Sequence, residues 1–96
     1  MVNLVEVRAY RKAILELGAR YGARNIRLFG SVVRGETDAH SDIDFLVDLD
    51  PARTLLDWIA FWSDIEILLG RPVDVATEKS LKSKIREKAL LEAVPL

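Results

Sequence analysis

Two aspartates of the chain, Asp42 and Asp44, stand two residues apart at the start of an apolar run. Because side chains alternate across a strand, both would lie on one face, and carboxylates about 5 Å apart repel by about 3 kcal/mol at an effective dielectric constant of about 20. Such a pair favours a bound cation, and Mg²⁺ takes carboxylate oxygens while keeping positions for phosphate. A solvated strand edge or a pair of capping residues is the alternative. Asp74, between Val73 and Val75, would become a third carboxylate on that face if its strand lay beside the first.

A glycine–serine pair, Gly30-Ser31, follows the apolar segment Ile26–Phe29. Gly30 permits a sharp turn because it has no Cβ, and Ser31 is a typical N-cap for a short helix that runs to Arg34. A strand, a turn and a helix start gather free backbone N–H groups at one point, which attracts phosphate. On its own such a pair indicates only a turn or a cap. Together with this turn, the aspartate pair is better explained by a metal site than by a solvated edge.

Other polar residues near these motifs have simpler interpretations. Gly35–Ser41 is predicted to be a loop, and the chain's one histidine, His40, is expected to be exposed there because no second histidine exists to complete a zinc site. Asp48 is interpreted as a strand-end or turn residue. Five basic residues between Lys79 and Lys88 indicate a solvated helix face.

Helices and strands must position these groups, and the apolar spacing predicts three longer helices and three strands. The predicted helices are Leu4–Tyr21 (ended by Gly22), Thr54–Leu69 (ended by Gly70) and Leu81–Glu92, and the predicted strands are Ile26–Phe29, Asp42–Leu49 and Arg71–Ala76. Pro95 should prevent the last helix from continuing. One aromatic residue of the second helix, among Trp58, Phe61 and Trp62, is expected to be exposed and to mark a docking surface.

The composition limits the possible partners and cofactors. Fourteen basic residues nearly balance fifteen acidic ones, and the net charge of −1 gives no general attraction to nucleic acid or membrane. The absence of cysteine excludes disulfides and thiolate metal sites and fits a reducing cytosol. No apolar run approaches the ~20 residues of a membrane-spanning helix, and acidic Glu6 argues against a signal peptide. The length predicts one domain, residues 1–96.

The motifs together resemble the DNA polymerase β-type nucleotidyltransferase superfamily, in which Gly-Ser is followed by Asp-x-Asp and by a single Asp on a later strand. The similarity to its minimal nucleotidyltransferase branch rests on Gly30-Ser31-x-x-Arg34-Gly35, on Ser41-Asp42-Ile43-Asp44 and on Val73-Asp74-Val75. Proteins of this branch are commonly the antitoxin halves of HEPN–MNT toxin–antitoxin pairs. The resemblance implies an α/β (α+β) fold, a small mixed β-sheet with helices packed on one face and the nucleotide site on the other.

The resemblance also implies cofactors and roles for individual residues. Mg²⁺, as a pair of ions, and a nucleoside triphosphate, usually ATP, are expected. The implied metal ligands are Asp42, Asp44 and Asp74, and the implied nucleotide-binding residues are Gly30, Ser31, Arg34 and Ser41. Asp74 would in addition help to activate the attacking hydroxyl. Arg34 would either contact phosphate or brace the loop, with bracing slightly favoured.

The chain offers a nucleotide-donor site and no recognisable acceptor site, so the acceptor should bring its own surface. The resemblance implies a HEPN ribonuclease toxin as partner and AMP transfer to a toxin tyrosine, in a cytoplasmic hetero-oligomer without direct binding to nucleic acid or membrane. One alternative is an antitoxin that neutralises by binding alone. Another is a nucleotidyltransferase for a small molecule or RNA, with a second subunit supplying the pocket. A purely structural module is the simplest alternative.

Overall fold

A four-stranded mixed sheet is the centre of the fold in the computed structural model, which describes residues 2–96. The helices are α1 (Leu4–Arg8), α2 (Arg11–Tyr21), α3 (Ser31–Arg34), α4 (Leu55–Leu69) and α5 (Ser83–Glu92), and the strands are β1 (Ala23–Phe29), β2 (Ile43–Leu49), β3 (Val73–Ala76) and β4 (Val94–Pro95). A short 3-10 helix at Glu78–Ser80 precedes α5. No helix within residues 2–96 has both the length and the apolar character needed to cross a membrane.

The strands follow the order β3-β2-β1-β4, with β1 antiparallel to both β2 and β4 and with β2 parallel to β3. This register places Asp44 of β2 between Phe29 of β1 and Asp74 of β3. Since adjacent strands lie about 4.8 Å apart, the backbones of the two aspartates are direct neighbours. The mixed sheet and its helices confirm the fold class expected from the sequence.

Alternation along β2 separates the two faces of the sheet. Residues pointing one way are fully buried in the main core, under α2 and α4: Ile43, Phe45 and Val47. On the other face, which Asp44 shares, α5 contributes to a smaller cluster made of Phe29, Leu46, Ala76 and Ala89. The helices therefore lie mainly on one face, as expected, and α5 covers part of the face that carries the aspartates.

Helix α4 is fixed to the edge strand β3 by two tryptophan side chains. Trp58 Nε1–H donates to the Val75 carbonyl at 3.0 Å, and Trp62 Nε1–H donates to the Val73 carbonyl at 2.9 Å. These bonds satisfy carbonyls of an edge strand, which otherwise need water or another strand. The expectation of an exposed aromatic side chain is therefore wrong, because Phe61 is fully buried and both tryptophans are partly buried. The exposed apolar side chains of α4 are aliphatic instead.

The predicted helix Leu4–Tyr21 is interrupted between α1 and α2, so the prediction of one continuous helix is wrong. Neither of the two linking residues is glycine or proline. The interruption coincides with a tertiary contact, because Arg8 at the end of α1 donates hydrogen bonds to the main-chain carbonyls of Pro95 at 2.7 Å and Leu96 at 3.2 Å. A contact between residues 87 positions apart leaves no trace in helical periodicity.

Asp48 is the penultimate residue of β2, close to the strand end as expected, and it forms an ion pair with Arg27 at 3.0 Å. Two shorter segments differ from the sequence prediction. Gly30 rather than Ser31 is the N-cap of α3, because its φ of +74° lies outside the helical range, and Ser31 is the first helical residue. The residues that follow α5 form strand β4 beside β1, a strand that the sequence did not predict.

Candidate active site

The three aspartates singled out by the sequence lie at the start of two parallel strands. Asp44 and Asp74 are the second residues of β2 and β3, and they pair in register. Side chains at matched positions of neighbouring strands point to the same face, so the two carboxylates are neighbours, and both residues are partly buried. Asp42 stands one residue before β2 and is exposed. The structure thus places Asp44 and Asp74 side by side, with Asp42 near enough for its charge to raise the pKa of both.

The electrostatic state of this cluster is unfavourable in the isolated protein. Burial is the main cause that raises the pKa of Asp44 from 3.8 to about 6, and the negative charges of Asp74 and Asp42 contribute to the same shift. Burial also raises the pKa of Asp74, with the charge of Asp42 as the second cause. The Arg34 guanidinium opposes the shift of Asp44 only in part. A cation brought to these carboxylates would therefore relieve their repulsion.

The donor set fits a magnesium ion that is shared with a bound phosphate. Carboxylate oxygens are the hard ligands that Mg²⁺ prefers. Among residues 2–96, no three acidic or histidine side chains are gathered closely enough to enclose a metal by themselves. This agrees with the usual arrangement in phosphate chemistry, in which one or two carboxylates bind Mg²⁺ and substrate phosphates with water complete its shell.

Gly30 places the backbone directly against the Asp44 carboxylate. It follows β1 and begins the turn into α3 with φ +74° and ψ −152°, a conformation that L residues with a side chain rarely adopt. A Cβ at this position would overlap Oδ2 of Asp44. The glycine is therefore required both for the turn and for the close approach of the turn to the carboxylate.

Glu92, at the end of α5, holds this turn from the other side. Its Oε1 accepts the Gly30 N–H at 2.7 Å, and Arg34 Nη1 donates to both of its carboxylate oxygens at 3.0 Å. Arg34 Nε also donates to Glu36 Oε2 at 3.0 Å. Partial burial alone would raise the pKa of Glu92, but the Gly30 N–H and the Arg34 guanidinium lower it below its ordinary value. Arg34 therefore braces the loop, the role that the sequence slightly favoured.

Sequence reasoning gave Glu92 no role in the site, although one signal was available. The predicted apolar stripe of the last helix consisted of Leu81, Ile85, Ala89 and Glu92. An acidic residue on the inward face of a helix needs a hydrogen-bonding or cationic partner when it is partly buried. The stripe could therefore have indicated a buried partner, but it could not have identified Gly30 and Arg34.

One other polar residue expected in the site, Ser41, belongs to the loop before β2. The Ser41 hydroxyl accepts the Asp38 N–H at 2.9 Å and donates to Asp38 Oδ1 at 3.2 Å. His40 is exposed, as expected, and its N–H donates to the same oxygen at 2.8 Å. Ser31 is partly buried in the first turn of α3. The Ser41 hydroxyl thus shapes the loop that leads into β2.

Comparison with known proteins connects this arrangement to one enzyme family. The sequence profile of the nucleotidyltransferase domain family matches residues 8–96. The protein adenylyltransferase MntA of Thermococcus cleftensis is 46% identical over 79 residues, which are 82% of this chain and 80% of that protein. A protein of Methanocaldococcus jannaschii assigned to the protein adenylyltransferases is 32% identical over 93 residues, which are 97% of each chain.

Solved structures have the same architecture. One described as a minimal nucleotidyltransferase is 46% identical, with a TM-score of 0.86, and the match covers 99% of this chain and 97% of that chain. A toxin–antitoxin complex with AMP-PNP contains a chain with a TM-score of 0.71 and 20% identity, over 88% of this chain and 69% of that chain. At the lower identity the likeness concerns the fold alone.

Proposed function

The chain belongs to the nucleotidyltransferase domain family and is a nucleotidyltransferase, as its motifs predicted, and we propose that it transfers AMP from ATP to a tyrosine hydroxyl of a HEPN-domain toxin. The observation that carries this proposal is that Asp44 and Asp74 pair in register while Asp44 lies directly against the Gly30 turn. The 46% identity to a named protein adenylyltransferase supports a protein as acceptor. The modification would silence the toxin, which makes the chain an antitoxin.

The reaction we propose is a displacement at phosphorus. The tyrosine oxygen attacks the α-phosphorus of ATP, the bond from this phosphorus to the oxygen bridging to the β-phosphate breaks, and pyrophosphate leaves. Asp42 and Asp44, with Asp74 beside them, are the residues that would hold Mg²⁺, which when bound stabilises charge on the phosphate oxygens. Asp74 receives the tyrosine proton.

Gly30 and Ser31 are the proposed contacts to the triphosphate. The absence of a side chain on Gly30 lets a phosphate approach the same stretch of backbone that touches Asp44. Arg34 acts on this turn through Glu92, because its guanidinium already binds two carboxylates. A chain of the same fold in a complex with AMP-PNP supports an adenosine nucleotide as the substrate.

Two observations support a protein partner, and a third supports a location in the cytoplasm. A mutant MntA–HpeT toxin–antitoxin complex contains a chain with this fold, at a TM-score of 0.69 and 16% identity. Exposed aliphatic residues on α4 offer apolar surface for a hetero-oligomer: Leu55, Leu56, Ile59 and Ile67. A chain without cysteine also fits a reducing compartment.

The test is the intact mass of the toxin encoded beside this chain, after incubation with the chain, ATP and Mg²⁺. We expect one or more added AMP masses with the wild type and none with Asp44→Asn. Asp64→Asn is the matched control, because it removes the same charge from α4, where Asp64 accepts the Tyr21 hydroxyl at 2.7 Å. Tryptic peptides should place the added mass on tyrosine.

An unmodified toxin in a stable complex that still protects cells would overturn the transfer and favour neutralisation by binding alone. A mass added equally by Asp44→Asn would show that the aspartate cluster is not the catalytic centre. An AMP added to a small molecule or RNA, and not to the toxin, would overturn the protein acceptor while leaving the nucleotidyltransferase chemistry in place.

A further inference from the structure

A cleft of about 360 Å³ lies between α3 and α5, next to the Gly30 turn. Gly30 and Arg34 form one wall, and Lys84 and Lys88 lie on the facing side of α5. Its apolar lining consists of Phe29, Ile85 and Ala89. The volume is within the range of small-molecule sites, which are about 300–1,000 Å³. Because Gly30 also touches the Asp44 carboxylate, this cleft is adjacent to the candidate active site.

The two lysines are the cations of this cleft that remain available to an incoming anion. Arg34 is occupied by Glu36 and Glu92 at 3.0 Å. In the part of the chain that the structure describes, neither Lys84 nor Lys88 forms a salt bridge, and both are exposed. They are four residues apart on α5, so one turn of helix separates them on the same side. Their exposure agrees with the solvated helix face that the sequence predicted, and it leaves both ammonium groups accessible to a ligand in the cleft.

A triphosphate needs such cations because the residues around it are acidic. Asp42, Asp44, Asp74 and Glu92 contribute four carboxylates near the turn, and their charges raise the pKa of Asp44 together with its burial. Magnesium would offset the three aspartates at the attacked phosphorus. Glu92 also lines the cleft and already pairs with Arg34. The two phosphates that leave therefore need further cations, and the two lysines of the cleft remain available for this.

We propose that the cleft between α3 and α5 binds the leaving pyrophosphate, with Lys84 and Lys88 as its contacts. This inference rests on the proposed function, since it concerns the same nucleotide. When the bond from the α-phosphorus to the bridging oxygen breaks, the electron pair stays on that oxygen and the pyrophosphate gains negative charge. Two ammonium groups beside a partly apolar wall stabilise this charge more than bulk water does. Lys84 and Lys88 are therefore substrate-positioning and leaving-group residues.

The test is binding of inorganic pyrophosphate in the presence of Mg²⁺, measured by titration calorimetry on the full chain. We expect Lys84→Ala/Lys88→Ala to weaken binding at least roughly tenfold, since the variant removes two charged hydrogen-bond donors to the pyrophosphate. AMP, which lacks the distal phosphates, should bind both proteins equally. The matched control is Lys12→Ala/Lys82→Ala, which removes two exposed lysines that do not line the cleft.

Several results would overturn the inference. They are undetectable binding of pyrophosphate to the wild type, equal binding to wild type and cleft variant, equal weakening in the control variant, and equal weakening of AMP binding. Circular dichroism and the melting temperature establish that the variants are folded. The readout is independent of transfer, so lysine-dependent pyrophosphate binding without any modified toxin would retain the cleft and reject the proposed acceptor.

Discussion

Replacing Asp44 by asparagine should stabilise the metal-free protein at neutral pH. The pKa of Asp44 is about 6 in the folded protein, against 3.8 in ordinary surroundings, with burial as the largest cause. At about 1.4 kcal/mol per pKa unit, this difference opposes folding of the ionised protein by at most about 3 kcal/mol. Because Asp44 is partly exposed, solvent screening reduces the figure to roughly 1 kcal/mol.

The pH dependence gives this prediction its sign. A raised pKa in the folded state means that the folded protein binds the proton more tightly, so stability is greatest below about pH 4 and is lost as the pH rises through about 6. The asparagine variant carries no such penalty. It should exceed the wild type by roughly 1 kcal/mol at about pH 7.5, or about 4–8 °C in Tm for a domain of this size, and lose this advantage at about pH 3.5.

The assay is thermal and urea unfolding followed by circular dichroism, with a chelator present. Asp64→Asn is again the control, and it should show no gain because its carboxylate lies on α4, away from the aspartate cluster. Added Mg²⁺ should stabilise the wild type and not Asp44→Asn. An unchanged stability at neutral pH, or a gain of the same size at acidic pH, would refute the electrostatic reasoning.

Two further variants test the turn beside this carboxylate. Gly30→Ala should abolish transfer and lower the free energy of unfolding by roughly 1–3 kcal/mol, because its Cβ would overlap Asp44. Gly35→Ala is the control, since Gly35 has a similar φ of +71° but open space around it, and this variant should retain activity. Glu92→Gln keeps an acceptor for the Gly30 N–H but loses the charge opposite Arg34, so it should cost about 1–2 kcal/mol and raise KM for ATP. Urea unfolding and steady-state kinetics measure both, and an unchanged KM would assign Glu92 a structural role only.

Local signals in the sequence predicted the features that depend on local physics. Gly22 and Gly70 end α2 and α4 with φ of 79° and 66°, as expected, because a left-handed helix end favours a residue without a Cβ. The alternation of β2 and β3 correctly placed Asp44 and Asp74 on a common face. The apolar spacing likewise predicted the start of α4 within one residue, since Thr54 is the N-cap of Leu55–Leu69.

Features that depend on distant contacts could not be predicted in this way. Each tryptophan of α4 combines an apolar ring with a polar N–H group, and these N–H groups donate to carbonyls of β3. Only the tertiary structure shows that those carbonyls lie at a sheet edge. The break between α1 and α2 lies beside Arg8, which binds carbonyls at the other end of the sequence. In both cases a polar side-chain group donates hydrogen bonds to main-chain carbonyls of a distant segment. The periodicity of apolar residues does not distinguish those carbonyls from any others.

The geometry of the Gly30 turn likewise depends on contacts with distant parts of the chain. Leu28 of β1 pairs with Val94 of β4, and the Ile26 carbonyl accepts the Leu96 N–H at 3.1 Å, so the residues after α5 are tied to β1. Glu92 stands immediately before this tied segment and reaches back to the Gly30 N–H at 2.7 Å. The turn that touches the Asp44 carboxylate is thus held by β1 through its own chain and through β4. A four-residue helix could not impose that geometry alone, which explains why a short Gly-Ser motif is a weak signal until the surrounding sheet is known.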